Sequence, residues 1–409
     1  MKKHLAIICG IYYPNPSPTG LCTRRYAKLL ADEYDIEIIC MSNGEAAQTL
    51  VDENGFTVHI LAGKRMAAEY KSKGVFKKLI HLLGALQIKT KLLGNLRWYR
   101  RAACKKLNEI NCKRKLDAVL TVCSPFAAHF AGMDFKKDHP DVTWCGYTVD
   151  PYAAKNRIRP IGCTFKKLVE KEAAVLSFMD VVLVSEEVYK NRPELYSHSN
   201  NCKTLPYLLP DFNTGGSKIK RFNDSDINCV YAGSFYRDIR NPETMLSCFS
   251  GLADTNIKLH LYARGCEDIV AKYSALADNI VMHDCVGADE IAEIYREADI
   301  LVNIGNATPE FLPSKTFEYI ASGKPIIHYY YEGMKDGILD KYPLCLQLRI
   351  KSKDTSGDVL LNYIHENRNK IVASDEVESI YTKHSKANIR EILLNSCLKN
   401  ATLQQGDIK

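Results

Sequence analysis

No stretch of this sequence reaches the roughly 18 consecutive apolar residues that a membrane-crossing helix needs. None of its fifteen cysteines sits in a Cys-x-x-Cys or in a Cys/His cluster at metal-ligand spacing. The first absence argues against an integral membrane protein, the second against a zinc module or a dithiol redox site. No internal repeat or low-complexity tract is found, and nothing suggests disorder. The cysteines are odd in number, and Cys9, Cys40 and Cys229 fall in apparent core strands, which reads as buried free thiols in a reducing cytosol. The N-terminal "MKKHLAIICGIYYPNPSP" starts positive, yet its apolar run is only about eight residues and no small-residue cleavage site follows. It reads as a first buried strand rather than a signal peptide. Acids are scarce in one place: from Lys64 to Lys115 sixteen Lys and Arg stand against Glu69 and Glu109, a local charge of +14 in a chain of net +7. The remainder is therefore net acidic, at −7.

What is present is an α/β pattern. At 409 residues, 46% hydrophobic and 25% charged, the chain has the composition of a soluble globular protein too long for one ordinary core, so two domains are expected. In the first half "HLAIICGIYY", "DIEIICMS", "TVHIL", "DAVLTVCS", "VTWCGYTVD" and "DVVLVS" read as strands, with clear helices near Gly20 and Thr164. In the second half "INCVYAGSF", "IKLHLYARG", "NIVMHDCVG", "DILVNIGN" and "KPIIHYYY" are strands, alternating with helices such as "ADEIAEIYREA" and "KTFEYIAS". That alternation is the mark of parallel sheets flanked by helices. The join falls in "LPYLLPDFNTGGSKIKRFNDSD", where Pro, Gly, Asn and Ser break both periodicities. The expected boundaries are 1–208, 209–380, and a C-terminal helical segment 381–409 packing on the first domain. Open parallel sheets bind ligands beyond the carboxyl ends of their strands, so the chemistry is expected in a cleft between the two domains.

The stretch "PEFLPSKTFEYIASGKPII", residues 309–327, carries the sharpest signal. Glu310 and Glu318 are eight positions apart, about 12 Å if helical, too far to share a proton as an acid/base pair. Pro313 interrupts the span and Ser314 suits an N-cap, so the reading is a loop carrying Glu310 and a helix from Lys315 to Ser322 closed by Gly323. The free amides at that helix start form an anion site, and Lys315 adds charge beside them. Glu318, one turn in, suits a vicinal diol such as a ribose; Glu310 suits hydroxyls on the other side. A nucleoside, a diphosphate and a sugar fit this order.

Glu-x(7)-Glu around Pro-Ser-Lys, followed by an apolar helix and Gly-Lys-Pro-Ile-Ile, resembles the donor signature of glycosyltransferase family 4, retaining enzymes of the GT-B fold. "VYAGSFYRDIRNPETML" resembles the start of that family's second domain, and "YYPNPSPTGLCTRRYAKLLA" its N-terminal glycine loop and first helix. "CSPFAAHFAG" followed by "WCGYTVDPY" is similar to a subset with a Pro-x-x-x-His segment and an Asp-Pro-aromatic turn. The resemblance spans roughly residues 1 to 330. It implies two Rossmann-like, doubly wound domains facing across a cleft. It also implies a nucleoside diphosphate-sugar donor bound without a metal or other cofactor. Gly20, Arg237, Arg240, Ser314, Lys315 and Glu318 are then assigned to the donor, with base and sugar contacts from loop backbone near Gly265 and Val286. Glu310, Asp150 and His129 become the candidate catalytic residues, the last two orienting sugar or acceptor; no general base is named. The chain departs from the family's usual Gly-Arg-Leu and Lys-Gly, reading Gly-Ser-Phe-Tyr-Arg-Asp-Ile-Arg-Asn instead, and has Asp150 where many relatives carry His.

In the basic segment Val75, Phe76, Leu79, Leu83, Leu86 and Leu93 recur near helical spacing among cations, close to Trp98 and Tyr99. Such a stripe suits an anionic membrane surface; solvated lysines over ordinary packed helices are the competing reading. Nucleic acid is set aside, since no recognition motif appears. Asp224-Ser-Asp226 matches a metal motif of a different glycosyltransferase fold but lies in the linker and is rejected. The resulting expectation is a cytoplasmic glycosyltransferase, peripheral on the inner face of the cell membrane. It would act on a lipid-linked saccharide in surface polysaccharide synthesis. A nucleotide-sugar epimerase of the same architecture and a catalytically silent partner subunit remain as alternatives.

Overall fold

The computed structural model describes residues 1–62, 96–153, 164–196, 201–212, 220–308, 315–335, 337–351 and 357–397. The chain forms two compact units, one of Met1–Pro206 with Lys386–Lys409 and the other of Tyr207–Ser385.

The first unit is built on a sheet of eight strands in the order β3-β4-β2-β1-β5-β6-β7-β8. These are β1 Lys3–Ile11, β2 Tyr34–Met41, β3 Gln48–Val51, β4 Thr57–Leu61, β5 Ala118–Cys123, β6 Thr143–Thr148, β7 Val181–Val184 and β8 Cys202–Thr204. All pairings are parallel except β3 with β4. Strand β5 is buried along its whole length, as expected for a central strand covered on both faces, and this is why its sequence is a continuous apolar run. The flanking helices are α1 Pro18–Leu30, α2 Arg97–Lys113, α3 Ala127–Asp138, α4 Phe165–Leu176, α5 Glu186–Asn191 and α6 Pro193–Tyr196. Ser17 caps α1 by accepting the Gly20 amide at 3.2 Å.

The second unit has a wholly parallel six-stranded sheet in the order β11-β10-β9-β12-β13-β14. Its strands are β9 Ile227–Ser234, β10 Ile257–Arg264, β11 Ile280–Met282, β12 Ile300–Ile304, β13 Ile326–Tyr330 and β14 Cys345–Arg349. Its helices are α7 Glu243–Ser250, α8 Glu267–Leu276, α9 Ala288–Glu297, α10 Lys315–Ser322, α11 Gly357–Asn367 and α12 Ser374–Ile380. The expected short helix of the 309–327 stretch is α10, closed by Gly323 at φ +73°. A Cβ there would lie 2.4 Å from the Val372 carbonyl oxygen, so glycine is needed for conformation and for space. The final helix, α13 Lys386–Cys397, lies on α1 of the first unit and ties to it through Arg390 and Glu33 at 3.1 Å.

The basic segment divides at residue 96. Residues 64–95 lie outside the described residues. Residues 97–113 are α2, and here the membrane-facing expectation is corrected. Tyr99, Ala103, Leu107 and Ile110 form the buried stripe of α2, packed with α3 and the sheet. The Tyr99 hydroxyl donates to the Ile39 carbonyl. Several cations of residues 97–115 are also neutralised by acids distant in sequence. Arg100 forks onto Asp134 at 2.5 and 2.6 Å, Arg114 meets Asp35 at 2.6 Å, and Lys115 meets Asp141 at 2.7 Å. A charge count along the sequence could not include those partners. Among the described residues no helix is long and apolar enough to cross a membrane.

Candidate functional site

In the second unit the parallel register brings the carboxyl ends of β9 and β10 together, Ser234 opposite Arg264. The chain then doubles back: Tyr236 N–H donates to the Arg240 carbonyl at 3.1 Å and Arg240 N–H to the Tyr236 carbonyl at 2.7 Å. This small loop aims two arginines differently. Arg240, half-buried, turns inward, its Nε and Nη2 donating to Asn306 Oδ1 at 3.1 and 2.7 Å and its Nη1 to the Ser234 carbonyl at 3.4 Å. Arg237 is exposed and donates to both Asp268 carboxylate oxygens at 2.7 Å, which holds that carboxyl below its ordinary value. Arg240 is thus the braced cation and Arg237 a surface one.

Gly265 follows β10 at φ +88°, and a Cβ there would lie 2.4 Å from the Phe235 carbonyl oxygen. Only glycine lets the two strand-end loops approach so closely. Val286 lies in the loop before α9, half-buried against the core beneath that helix and α10.

The first turn of α10 carries Lys315 and Glu318. Lys315 Nζ donates to the Tyr295 hydroxyl at 3.0 Å and stands 3.7 Å from Glu318 Oε2. The Glu318 side chain is 19% exposed, enough for a ligand to reach it and little enough to limit its rotamers. Beneath this turn lies a buried polar group: Asn303 Nδ2 donates to Thr316 Oγ1 at 3.1 Å and lies 3.1 Å from His328 Nδ1. Strand alternation explains it. Leu301 and Ile326, at the start of β12 and β13, pack under α9 and α10, and the next residues on that face are Asn303 and His328. The face turns from apolar to polar toward the carboxyl end. Burial pushes His328 down to about 3, so it is neutral. Glu310 and Ser314 lie outside the described residues.

Arg237, Arg240 and Gly265 follow β9 and β10 at their carboxyl ends, and Lys315 and Glu318 open the helix after β12. The supporting residues Asn306, Tyr295, Asn303 and Tyr331, whose hydroxyl accepts the Asn241 amide at 2.9 Å, were not singled out from sequence. Asn306 had one available signal, a polar residue just past an apolar strand end. Among the described residues no three His, Cys, Asp or Glu side chains gather in a metal-holding group.

The first unit holds the other three named residues. Gly20 packs on the chain itself, for a Cβ there would lie 2.1 Å from the Ile11 carbonyl oxygen. The close approach that needs glycine is therefore that of α1 to the end of β1. His129 is enclosed, its Nδ1 2.8 Å from Thr121 Oγ1 and its Nε2 3.3 Å from Thr148 Oγ1, and burial lowers it to about 3. This corrects its expected place lining an open face: it is a neutral, hydrogen-bonded core histidine. Asp150 is half-buried just after β6. The turn that follows it is clamped by the buried Glu172, which accepts the Tyr152 and Ala153 amides at 2.9 and 2.8 Å.

Residues 226–348, spanning β9 to β14, match the family model described as Glycosyl transferases group 1. The chain has the two-domain GT-B fold, and its second unit carries the glycosyltransferase match. Solved structures of this fold superpose over nearly the full length. Sucrose-phosphate synthase from Thermosynechococcus elongatus aligns with TM-score 0.69 and 12% identity over 96% of this chain and 97% of its own. Anabaena HepE in complex with UDP and glucose gives 0.61 and 11% over 97% and 100%. The lipopolysaccharide outer core galactosyltransferase WaaB gives 0.57 and 11% over 96% and 99%. At such identities the likeness establishes the fold and not the substrate. A sequence search of curated proteins finds no match. Of the named residues, those from Arg237 to Glu318 fall inside the matched glycosyltransferase segment, and Gly20, His129 and Asp150 fall outside it.

Proposed function

We propose that this glycosyltransferase moves a sugar from a nucleoside diphosphate donor, with retention of configuration, to a saccharide acceptor. The observation that carries the reading is the arrangement in the second unit. A braced Arg240 stands at the carboxyl end of β9, and α10 opens with Lys315 and presents Glu318 one turn in. Helix-start amides and fixed cations stabilise charge growing on a departing diphosphate, and they act most strongly when already oriented. Glu318 holds the ribose diol, Ser314 and Glu310 belong to the same donor stretch, and Asp150 orients the acceptor side. The HepE structure with UDP and glucose supports a nucleotide-sugar donor. No metal or cofactor is assigned a step.

The finer reading is a lipid-linked acceptor of the cell envelope, met at the inner face of the membrane. Residues 64–95 support it, with eight Lys and Arg against Glu69 alone and an apolar stripe among them. WaaB, a lipopolysaccharide outer core galactosyltransferase, has the same fold. A thermal-shift panel of nucleotide sugars tests the donor assignment, since a ligand at 100 times its dissociation constant adds about 2.7 kcal/mol of stability. The expected result is a shift with one nucleotide series and sugar transfer once an acceptor is supplied. An epimer formed from donor alone would overturn the transferase reading.

A further inference from the structure

We propose that Tyr295 is a positioning residue that holds the Lys315 ammonium at the opening of α10, an inference that rests on the donor-site reading above. Tyr295 lies on α9 and is 1% exposed, so its hydroxyl needs a partner inside the protein. It has two: it accepts from Lys315 Nζ at 3.0 Å and shares a hydrogen bond with the Tyr319 hydroxyl. An ammonium only donates, so the phenol oxygen accepts. The same Nζ lies 5.7 Å from the Tyr295 ring centroid, within range of attraction to the ring face.

The tyrosine is itself fixed. Its ring meets that of Tyr319 edge to face, centroids 5.1 Å apart at 89°. The Tyr319 hydroxyl accepts the Ala232 amide of β9 at 3.2 Å. The brace therefore runs from β9, whose far end carries the Arg240 loop, through two buried aromatics to the lysine. A lysine side chain is long and readily adopts many rotamers. Held between Tyr295 and Glu318, Lys315 is ordered by folding, before any anion arrives, which is the condition for a cation to act at full strength on a diphosphate.

Tyr295→Phe keeps the ring and its edge-to-face contact with Tyr319, and removes the hydroxyl that meets Lys315 and Tyr319. Affinity is read by calorimetry with UDP, and with GDP, ADP and dTDP in parallel, and the donor KM and kcat are followed in the transfer assay. The expected result is a five- to tenfold loss of nucleoside diphosphate affinity with a rise in donor KM and nearly unchanged melting temperature. Lys315→Met is expected to lose more, and the double variant to be no weaker than Lys315→Met alone, because the tyrosine acts only through the lysine. Full affinity in Tyr295→Phe, or losses that add in the double variant, would overturn the inference and leave the donor site standing. Wild-type affinity in Lys315→Met, or no binding of any of the four by the wild type, would remove the donor-site reading and this inference with it.

Discussion

At the scale of single residues, Glu318 is the position on which the donor reading turns. Its carboxylate is one helical turn from the α10 start and partly open to solvent. Glu318→Gln keeps the shape and removes the charge that strengthens hydrogen bonds to a diol, an expected loss of about 1.5–3 kcal/mol in donor affinity. Titration with the donor chosen by thermal shift checks this; wild-type affinity and turnover would show that the ribose is held elsewhere. Lys315 and Glu318 were legible because their signals are local: breakers before the helix, Gly323 after it, and two charges within one turn. The braces were not. Arg240 finds Asn306 across 66 residues and Lys315 finds Tyr295 across 20, so only the fold brings them together. His129 misled for the same reason, since a histidine on a helix gives no sign that two threonines on neighbouring strands will enclose it.

At the scale of elements, buried strands and capped helices were legible, while three short edge strands were not. β3, β8 and β14 have little or no buried face of their own and so no strong alternation to read. Packing between elements also creates a pH dependence invisible in any one of them. Strands β1, β2 and β4 place His4 and His59 on either side of Glu37, whose two oxygens lie 2.9 and 2.6 Å from the histidine Nε2 atoms. Hydrogen bonds from these histidines pull the Glu37 carboxyl down to about 2, and the Glu37 contact raises His4. For Glu37, depressed in the folded state, the stabilisation is present above the ordinary carboxylate range near 4.5 and is lost as pH falls toward about 2. For His4, raised in the folded state, it is present below the ordinary value of 6.5 and is lost as pH rises through the folded value. The sheet edge is thus expected to be tightest at mildly acidic pH. Glu37→Gln should cost about 2 kcal/mol near pH 5.5 and progressively less on either side. Thermal unfolding of both proteins from pH 3 to 8 checks it; a constant difference across that range would mean that Glu37 and His4 are not linked to folding in this way.

At the scale of the whole molecule, the sequence revealed two α/β units because each is wound from consecutive strand-helix steps. What it could not weigh was charge, because a count along the chain assigns each cation to its neighbours in sequence. The +14 between Lys64 and Lys115 shrinks once Asp134, Asp35 and Asp141 are seen to pair with Arg100, Arg114 and Lys115. The membrane proposal is therefore carried by residues 64–95 alone. Each Lys or Arg near an anionic surface contributes about 1 kcal/mol, and a Debye length of about 8 Å at physiological salt confines that to side chains facing the lipid. Four of the eight cations in this stretch, Lys77, Lys78, Lys89 and Lys91, are changed to Gln in the test. Sedimentation with phosphatidylglycerol and with phosphatidylcholine vesicles across a salt series should show wild-type binding only to the former, fading as salt rises, and release of the fourfold variant. Donor affinity should be unchanged, because the donor residues belong to the other unit. Arg97, Arg101 and Lys105 are the internal control: they lie on the exposed side of a helix whose apolar stripe is already used in the core. Changing these three to Gln should leave vesicle binding nearly intact. If they matter as much as the four lysines, the attraction is a diffuse field of the first unit rather than a built membrane face, and a lipid-linked acceptor loses its main support.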